Sequence, residues 1–354
     1  MVNESSERKP LVALATSPRR MPPGWTPPAP AWSASFAELR TPIVMAYFGT
    51  QLAPDDTRPP RDRMRDFFAR GVAPLNVESA TFIDRSGRRN LLSIGYWTDP
   101  ARYHQWNVDS GFEAWWNDPA RMRDDEGYFR EILTVPKERF ETIFVHDYLV
   151  GAAKLGDTVL GPVREHGYWG SMRDRFEVSA DNDLVSPYGQ SVPRNASQST
   201  AGHRMRVQAP ENLTVIRSGQ DWSECAGDEF AFYDESVHPL LRDAMHFLRD
   251  NPAETGCCEM RFAQQFAADG AMLKKTFGLG HFLSLGHLEQ WAASDERHLT
   301  IFSRFGRMAR EFRSGLRLKL WHEVSVLPAS GQIFEYINCH GETGVLPFFP
   351  SLEW

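Results

Sequence analysis

The sequence has little of what marks several common classes of protein. Only four of its 354 residues are cysteines, and they form neither a disulfide framework nor a C-x-x-C pair: Cys225, Cys257, Cys258 and Cys339. No stretch approaches the roughly 18 consecutive apolar residues of a membrane span. The apolar run LVALA at 11–15 is too short for a signal peptide. These absences predict a soluble, cytoplasmic protein whose cysteines are reduced and mostly structural.

Charge of one sign is not concentrated, and the usual nucleotide and hydrolase motifs are missing. Lys plus Arg number 39 against 46 Asp plus Glu, a formal net charge of -7. No basic run is long enough to follow a phosphate backbone, which argues against nucleic acid as a partner. There is no G-x-G-x-x-G, Walker loop or G-x-S-x-G elbow, and HGYWGS at 166–171 lacks the glycine spacing of any of them.

The composition that is present, 42% hydrophobic and 24% charged, allows a large core in one domain or in two halves. Residues 1–40 contain PRRMPPGWTPPAPAW, and so many prolines favour an extended arm laid over a surface or a partner. After residue 40 the apolar pattern changes to alternating strands and helices. The predicted strands are 41–51 and 90–97, and the predicted helices are 59–71 and 99–106.

The second half repeats this order of elements, with a strand at 213–220 and a helix at 234–250. GYWTDPARYHQW at 95–106 matches GHFLSLGHLEQW at 280–291 without a gap. This duplication predicts an α+β fold in which two ferredoxin-like repeats form one antiparallel barrel of the dimeric α/β-barrel type, with helices outside. The predicted segments are an arm at 1–40, a first half at 41–163, a connection containing EHGYWGSMRDRF at 164–209 and a second half at 210–354.

One histidine stands on the apolar face of a predicted helix. If 297–312 is helical, His298 shares a face with Ile301, Phe302, Phe305, Met308 and Phe312. A buried imidazole needs polar partners, and backbone or water is the more common solution. A metal ion is the other solution, and an apolar face suits a flat macrocycle such as haem. Because C-x-x-C-H is absent, such a haem would be bound noncovalently.

A second histidine lies in a predicted strand, LRLKLWHEVSVL at 316–327. Alternation puts His322 on one face with Leu318, Leu320, Val324 and Val326, opposite Lys319, Trp321, Glu323 and Ser325. Two inward histidines fit a pocket with a proximal ligand and a distal acid or base, although spacing does not show that they face each other. A zinc site at His281 and His287 is the weaker alternative, since no carboxylate or thiolate stands at ligand spacing.

Several longer motifs then carry a resemblance: EHGYWGSMRDRF, NLTVIRSGQDW, HLTIF, and LWHEVSV with FEYINCHGETG. From about residue 20 to the C-terminus the sequence resembles the haem-containing aldoxime dehydratases, the family that includes phenylacetaldoxime dehydratase. The resemblance implies the duplicated barrel, a noncovalent haem b that is ferrous for activity, and a homodimer. It also implies a lyase reaction that converts R-CH=N-OH to a nitrile and water.

The same resemblance implies roles for five residues. His298 in RHLTIF matches the proximal iron ligand, and His322 in WHEVSV matches the distal catalytic histidine. Ser218 in LTVIRSGQ matches the serine that binds the substrate hydroxyl, Arg175 in MRDRF the distal arginine, and Glu141 in RFETIF a functional carboxylate. Without the resemblance, the last three would be interpreted as a turn serine, an ion-pair partner and a solvated charge.

Two other functions remain open from the sequence. One is a haem peroxidase or chlorite-dismutase-like oxidoreductase on the same barrel, which would act from ferric haem with peroxide or chlorite. The other is a noncatalytic haem-binding or gas-sensing module, in which His322 only controls access to the distal side of the iron.

Overall fold

A computed structural model describes residues 20–53, 56–146, 148–195 and 199–354. Residues 1–19 of the predicted arm therefore lie outside the described residues. The strands are β1 Ser33–Ser35, β2 Ile43–Gln51, β3 Asn76–Ile83, β4 Arg89–Trp97, β5 Gly127–Val135, β6 Phe140–Phe144, β7 Thr158–Leu160, β8 Arg204–Val207, β9 Thr214–Asp221, β10 Cys257–Phe266, β11 Met272–Phe282, β12 Lys319–Val326, β13 Ile333–Ile337 and β14 Ser351–Glu353. The α-helices are α1 Arg65–Phe68, α2 Pro100–Asp109, α3 Phe112–Asn117, α4 Ser171–Asp174, α5 Gly227–Phe232, α6 His238–Asp250, α7 Pro252–Thr255, α8 Leu285–Ser294 and α9 Glu296–Phe312.

Twelve of the strands form one antiparallel sheet, which confirms the predicted α+β class. Their order is β14-β8-β13-β5-β2-β4-β3-β10-β11-β9-β12-β6, while β1 pairs with β7 separately. The runs β2 to β5 and β9 to β12 have the same pairing. In each run the first strand pairs with the third and the fourth, and the second strand pairs with the third.

The sheet is open, so the prediction of a closed barrel is wrong for the described strands. A barrel made from two four-stranded runs needs two joints. One joint exists, where Ala263 to Gln265 of β10 pair with Phe82 to Ala80 of β3. At the other side, β5 already pairs with β13 and β12 already pairs with β6. The edges that would close the barrel are therefore occupied.

Local sequence explains where some of the helices begin and end. Asp99 accepts a hydrogen bond from the Arg102 amide at 2.9 Å and caps α2, as its position before the helix predicts. The helix predicted at 59–71 is only four residues long, because the prolines at its start remove amide donors and Gly71 follows it.

The helix predicted at 234–250 starts with a wider turn. Residues Tyr233–Val237 are π-helical, and α6 follows with Pro239 in its first turn. Proline has no amide to give to the carbonyl four residues earlier, so the α-helical hydrogen-bond series is interrupted at this point.

The two runs of strands pack against each other, and helices cover their outer faces. The cluster between the runs contains Tyr47, Tyr96, Phe129, Leu279 and Trp321. Helices α2 and α3 pack on the outer face of the first run, and α6, α8 and α9 pack on the outer face of the second run. Within the described ranges, no helix is both long and apolar enough to cross a membrane.

Candidate active site

Three neighbouring strands at one end of the sheet carry three of the predicted site residues. His322 of β12 pairs directly with Ser218 of β9 on one side and with Ile143 of β6 on the other. Paired residues in an antiparallel ladder point to the same face, and so do residues two apart. Ser218, His322 and Glu141 therefore share the face that α6, α8 and α9 cover.

The alternation predicted for β12 is present, but both of its faces are buried. Val324 and Val326 belong to the apolar cluster beneath the helices, whereas Trp321 packs between the two runs of strands. Glu323, on the same side as Trp321, is 3% exposed. The alternation of residues along β12 shows which side chains share a face, but it does not show that both faces are buried.

A buried ion pair stands beside His322. The Arg175 guanidinium donates to both carboxylate oxygens of Glu141, at 2.7 and 3.2 Å, and to the carbonyl of Glu165 at 2.6 Å. Its Nη2 atom lies 3.3 Å from Nε2 of His322, and a carboxylate oxygen of Glu141 lies 3.6 Å from the same nitrogen. Both members of the pair are buried, which gives the imidazole a fixed polar support.

The contact with Arg175 also settles which ring nitrogen of His322 carries the proton. A guanidinium only donates, so Nε2 accepts and the proton of the neutral ring is on Nδ1. Burial first, and then the charges of Arg175 and His298, lower the pKa of His322 to about 3. A histidine that ligates iron is neutral, so the contribution of His298 disappears once it does so. Burial raises the pKa of Glu141, and Arg175 opposes that rise.

The remaining predicted residue, His298, lies in the first turn of α9. Its Nδ1 is 2.7 Å from the carbonyl oxygen of Ala292, to which it donates, so Nε2 keeps a free lone pair. Burial lowers the pKa of His298, which favours the neutral ring. The ring of Trp291 packs edge-on against it at 4.9 Å. Histidines that bind metals characteristically give the other ring N–H to a carbonyl, so this geometry fits an axial ligand.

The apolar face predicted for α9 is buried only in part. Met308 is fully buried and Ile301, Phe305 and Phe312 are half-buried. Phe302 is 54% exposed and packs against Trp169 at 5.9 Å between ring centroids. The Trp169 ring is also 6.3 Å from His298, so the loop at 164–176 reaches the ligand side as well as the Arg175 side.

Apolar packing beneath the helices is divided at the row of His322 and Ser218. One group, the α8 cluster, contains Leu285, Leu288, Trp291, Ile216, Ile301 and Val324. The other, the π-turn cluster, contains Tyr233, Val237, Trp222, Phe305, Met308 and Leu320. On β12 the chain passes from one cluster to the other between Leu320 and Val324, with His322 between them. On α9 it does so between Ile301 and Phe305, and His298 lies one turn before Ile301, against Trp291 of the α8 cluster.

The zinc alternative has no support in the described residues. No group of three or more His, Cys, Asp or Glu side chains among them is arranged to hold a metal ion. His281 lies 3.6 Å from Glu131 in the polar interior, and His287 shares a hydrogen bond of 2.7 Å with Ser284.

Sequence reasoning missed the main-chain partners of the site. Two carbonyls, those of Ala292 and Glu165, orient His298 and Arg175. A backbone acceptor leaves no signal in residue type. A third missed contact is the ion pair of Arg173 with Glu289 of α8 at 2.6 Å, which holds the loop at 164–176 against the helices. The sequence gives no signal that these two residues form a pair.

Comparison with known proteins identifies the family of this chain. The model of the haem-containing dehydratase family matches residues 46–345. An aliphatic aldoxime dehydratase of Rhodococcus globerulus is 38% identical over 348 residues, 97% of each chain. A phenylacetaldoxime dehydratase of Bacillus sp. (strain OxB-1) is 34% identical over 340 residues, 95% of this chain and 96% of its own. The chain belongs to the haem-containing dehydratase family, which confirms the resemblance drawn from its motifs.

A solved structure agrees over the whole length. An aldoxime dehydratase crystallised in complex with butyraldoxime superposes with a TM-score of 0.88 at 36% sequence identity, covering 99% of both chains. The similarity therefore includes the strands, the loop at 164–176 and the helix that carry the five predicted residues, not only the general fold.

Proposed function

We propose that this protein is a haem-dependent aldoxime dehydratase, a lyase that removes water from R-CH=N-OH to leave a nitrile. The family and its curated relatives support the haem and the substrate class. The observation that carries the proposal is a histidine whose Nδ1 donates to a carbonyl, together with a second histidine that is supported by a buried arginine and glutamate.

His298 would hold the haem through Nε2, and the haem is proposed to be a noncovalent haem b that is ferrous for activity. When bound, it supplies an electron-rich iron that coordinates the oxime nitrogen and weakens the N–O bond without net oxidation. The α8 cluster and the π-turn cluster would pack against its two apolar edges.

Ser218 and His322 would carry out the proton chemistry. The Ser218 hydroxyl has no hydrogen-bond partner among the residues that the structure describes, and it stands beside His322, so it can hold the oxime oxygen in line with that ring. Hydroxide is a poor leaving group and needs a proton. His322 would give a proton to the oxygen and then take the C–H proton, so that it ends each turnover in the protonation state in which it began.

Arg175 and Glu141 would act on the position of that ring. Both contact Nε2 of His322, Arg175 at 3.3 Å and Glu141 at 3.6 Å, so they would fix the orientation of the ring. Glu141 in turn fixes the guanidinium through two hydrogen bonds. Neither residue has to contact the substrate for this role.

Anaerobic turnover tests the proposal. The haem-loaded protein is reduced with dithionite and supplied with an alkylaldoxime or an arylaldoxime, and nitrile is measured by gas chromatography. We expect nitrile from the reduced protein and no comparable activity of the ferric protein with peroxide or chlorite. No nitrile from reduced, haem-loaded protein would contradict the proposal. Peroxide or chlorite turnover in its place would favour the oxidoreductase, and no turnover of any kind would favour a haem-binding sensor.

We further propose that the two four-strand runs are ferredoxin-like repeats, with the boundaries predicted at 41–163 and 210–354, since their strands pair in the same order. A homodimer in the cytoplasm is proposed from the family resemblance, and the four free, buried cysteines support a reducing compartment. Light scattering after size-exclusion chromatography tests the dimer.

A further inference from the structure

A cavity of about 110 Å³ is lined by Arg175 and Glu141, the pair that contacts His322. His322 itself does not line it. The outer wall of the cavity is formed by Lys137, by Glu177 and by residues 33–37 of the N-terminal arm. Glu177 and Ala37 are exposed, so the cavity extends to the surface of the protein.

The cavity exists because the arm leaves the edge of the sheet at this point. Trp32 exchanges two backbone hydrogen bonds of 2.8 Å with Phe144 of β6, and the arm then turns away. The Ala34 amide bonds the Thr142 hydroxyl instead, at 2.9 Å. Backbone groups alternate along a strand, so the amide and carbonyl of Thr142 point to the same edge as those of Phe144.

Those edge groups and the charged walls suit water. Buried backbone amides and carbonyls take hydrogen-bond partners in folded proteins, and ordered water is a common one. One water needs roughly 10–15 Å³ of such volume together with two to four polar contacts. A cavity of about 110 Å³ whose lining residues include Glu141, Arg175 and Lys137 among apolar ones therefore has room for several waters.

We propose that this cavity is the exit for the water released by the reaction, with the Arg175–Glu141 pair as its inner gate. The inference rests on the proposed aldoxime dehydration. In that reaction the N–O and C–H bonds break, and the released hydroxyl gains one O–H bond to become the water that leaves with each nitrile. The water would form beside His322, whose Nε2 lies 3.3 Å from the Arg175 guanidinium and 3.6 Å from the Glu141 carboxylate.

The alternative way out is less favourable for water. Both clusters beneath the helices are apolar, and a water that leaves between them loses its hydrogen bonds without replacement. Along the Arg175–Glu141 side, each step ends on a charged partner. The polar route also separates the leaving water from the apolar path that suits the hydrocarbon part of an oxime.

The test uses obstructed cavities in the haem-loaded protein. Ala37→Trp and Glu177→Trp each place an indole in the outer wall of the cavity, and both positions are exposed, so folding should be preserved. Glu38→Trp is the matched control, because it is the exposed neighbour of Ala37 and does not line the cavity.

Entry of a polar ligand the size of water follows the same route in reverse. We expect the association rate of fluoride with ferric haem to fall about tenfold in both cavity variants and to be unchanged in Glu38→Trp. Association of carbon monoxide with ferrous haem should be the same in all four proteins. Unchanged fluoride rates in the cavity variants, or an equal fall in Glu38→Trp, would overturn the proposed route.

Stopped-flow turnover links this measurement to catalysis. In the cavity variants the first turnover should keep its rate while later turnovers slow, producing a burst of nitrile close to one per haem. A uniform slowing of the first turnover would overturn the exit role. If the wild-type protein forms no nitrile, the proposed function fails, while the fluoride comparison still decides whether the cavity connects to the iron.

Discussion

The two faces of β9 and β12 both bury charge, yet only one of them forms a candidate active site. On the face between the two runs of strands, Arg217 pairs with Glu78, lies 3.7 Å from Glu323 and bonds the Tyr96 hydroxyl at 2.5 Å. Its guanidinium also lies over the Phe277 ring, 4.2 Å from the centroid. Each charge there is opposed by another, and none is left to act on a ligand.

The next residue along each strand lies on the opposite face, where the charges are arranged differently. Ser218 follows Arg217 and His322 precedes Glu323, and both point to the helix side. There the Arg175–Glu141 pair contacts His322 and lines an open cavity, while His298 keeps Nε2 available. Buried charge therefore does not by itself mark a site. Groups left uncommitted beside accessible space do.

Removing the axial ligand should give the largest effect on the helix side. We expect His298→Ala to abolish the Soret band, because no other group holds the iron from α9. His287→Ala is the control, since that histidine is also buried beneath the same helices but bonds Ser284, and it should retain the band. Absorption spectra of the purified proteins measure both, and an unchanged Soret band in His298→Ala would refute the ligand assignment.

On the inner face, removing a charge should affect stability and not chemistry. Arg217→Ala leaves Glu78 and Glu323 buried without their cation, which typically costs about 3–5 kcal/mol of unfolding free energy. Denaturant unfolding gives this value. Turnover per bound haem should stay near that of the wild type, and a selective loss of turnover in a stable variant would remove the distinction between the faces.

The distal histidine should show the opposite behaviour. We expect His322→Ala to keep its haem and its unfolding midpoint but to lose about 100-fold or more in kcat, the range for a positioned acid or base. Glu323→Gln, the next residue on the other face, should lower stability and keep kcat. Steady-state assays beside thermal melts compare the two, and similar kcat values for both variants would contradict the assignment of roles.

The smallest effect is expected at Ser218. Ser218→Ala removes one hydrogen bond to the substrate, worth about 1–1.5 kcal/mol or roughly tenfold in kcat/KM. Ser325→Ala on the inner face of β12 is the matched change, and its kcat/KM should equal that of the wild type. If both serines prove neutral, the oxime oxygen is held by another group.

The sequence predicted four of the strands, β2, β4, β9 and β12, together with the α9 helix, because hydrophobic periodicity encodes local geometry. It did not predict that β6 pairs with β12 and β13 with β5, which keeps the sheet open. These pairings depend on which strand edges meet from distant parts of the chain, and a short-range sequence pattern does not contain that information. The early end of α1 and the π-turn before α6 were also missed, although proline gave a signal in each case.

The candidate site divides in the same way. Periodicity alone selected His298 and His322, whereas Ser218, Arg175 and Glu141 were selected only by resemblance to a family. Arg175 and Glu141 come from separate elements, and their pairing arises from tertiary contacts. The cavity was not predictable at all, since it is formed where two backbone segments separate.

The pairing of β6, a strand of the first half, with β12 of the second half also affects how the protein folds during synthesis. Glu141 lies in a strand that leaves the ribosome long before β12, so this strand must wait with one edge uncovered until nearly the whole chain has been synthesised. Its other edge is already bonded to Trp32, which leaves the ribosome earlier still. We expect the proline-rich arm to act during synthesis as a guard against strand-to-strand aggregation. The distal histidine and its carboxylate would then meet among the last steps of folding.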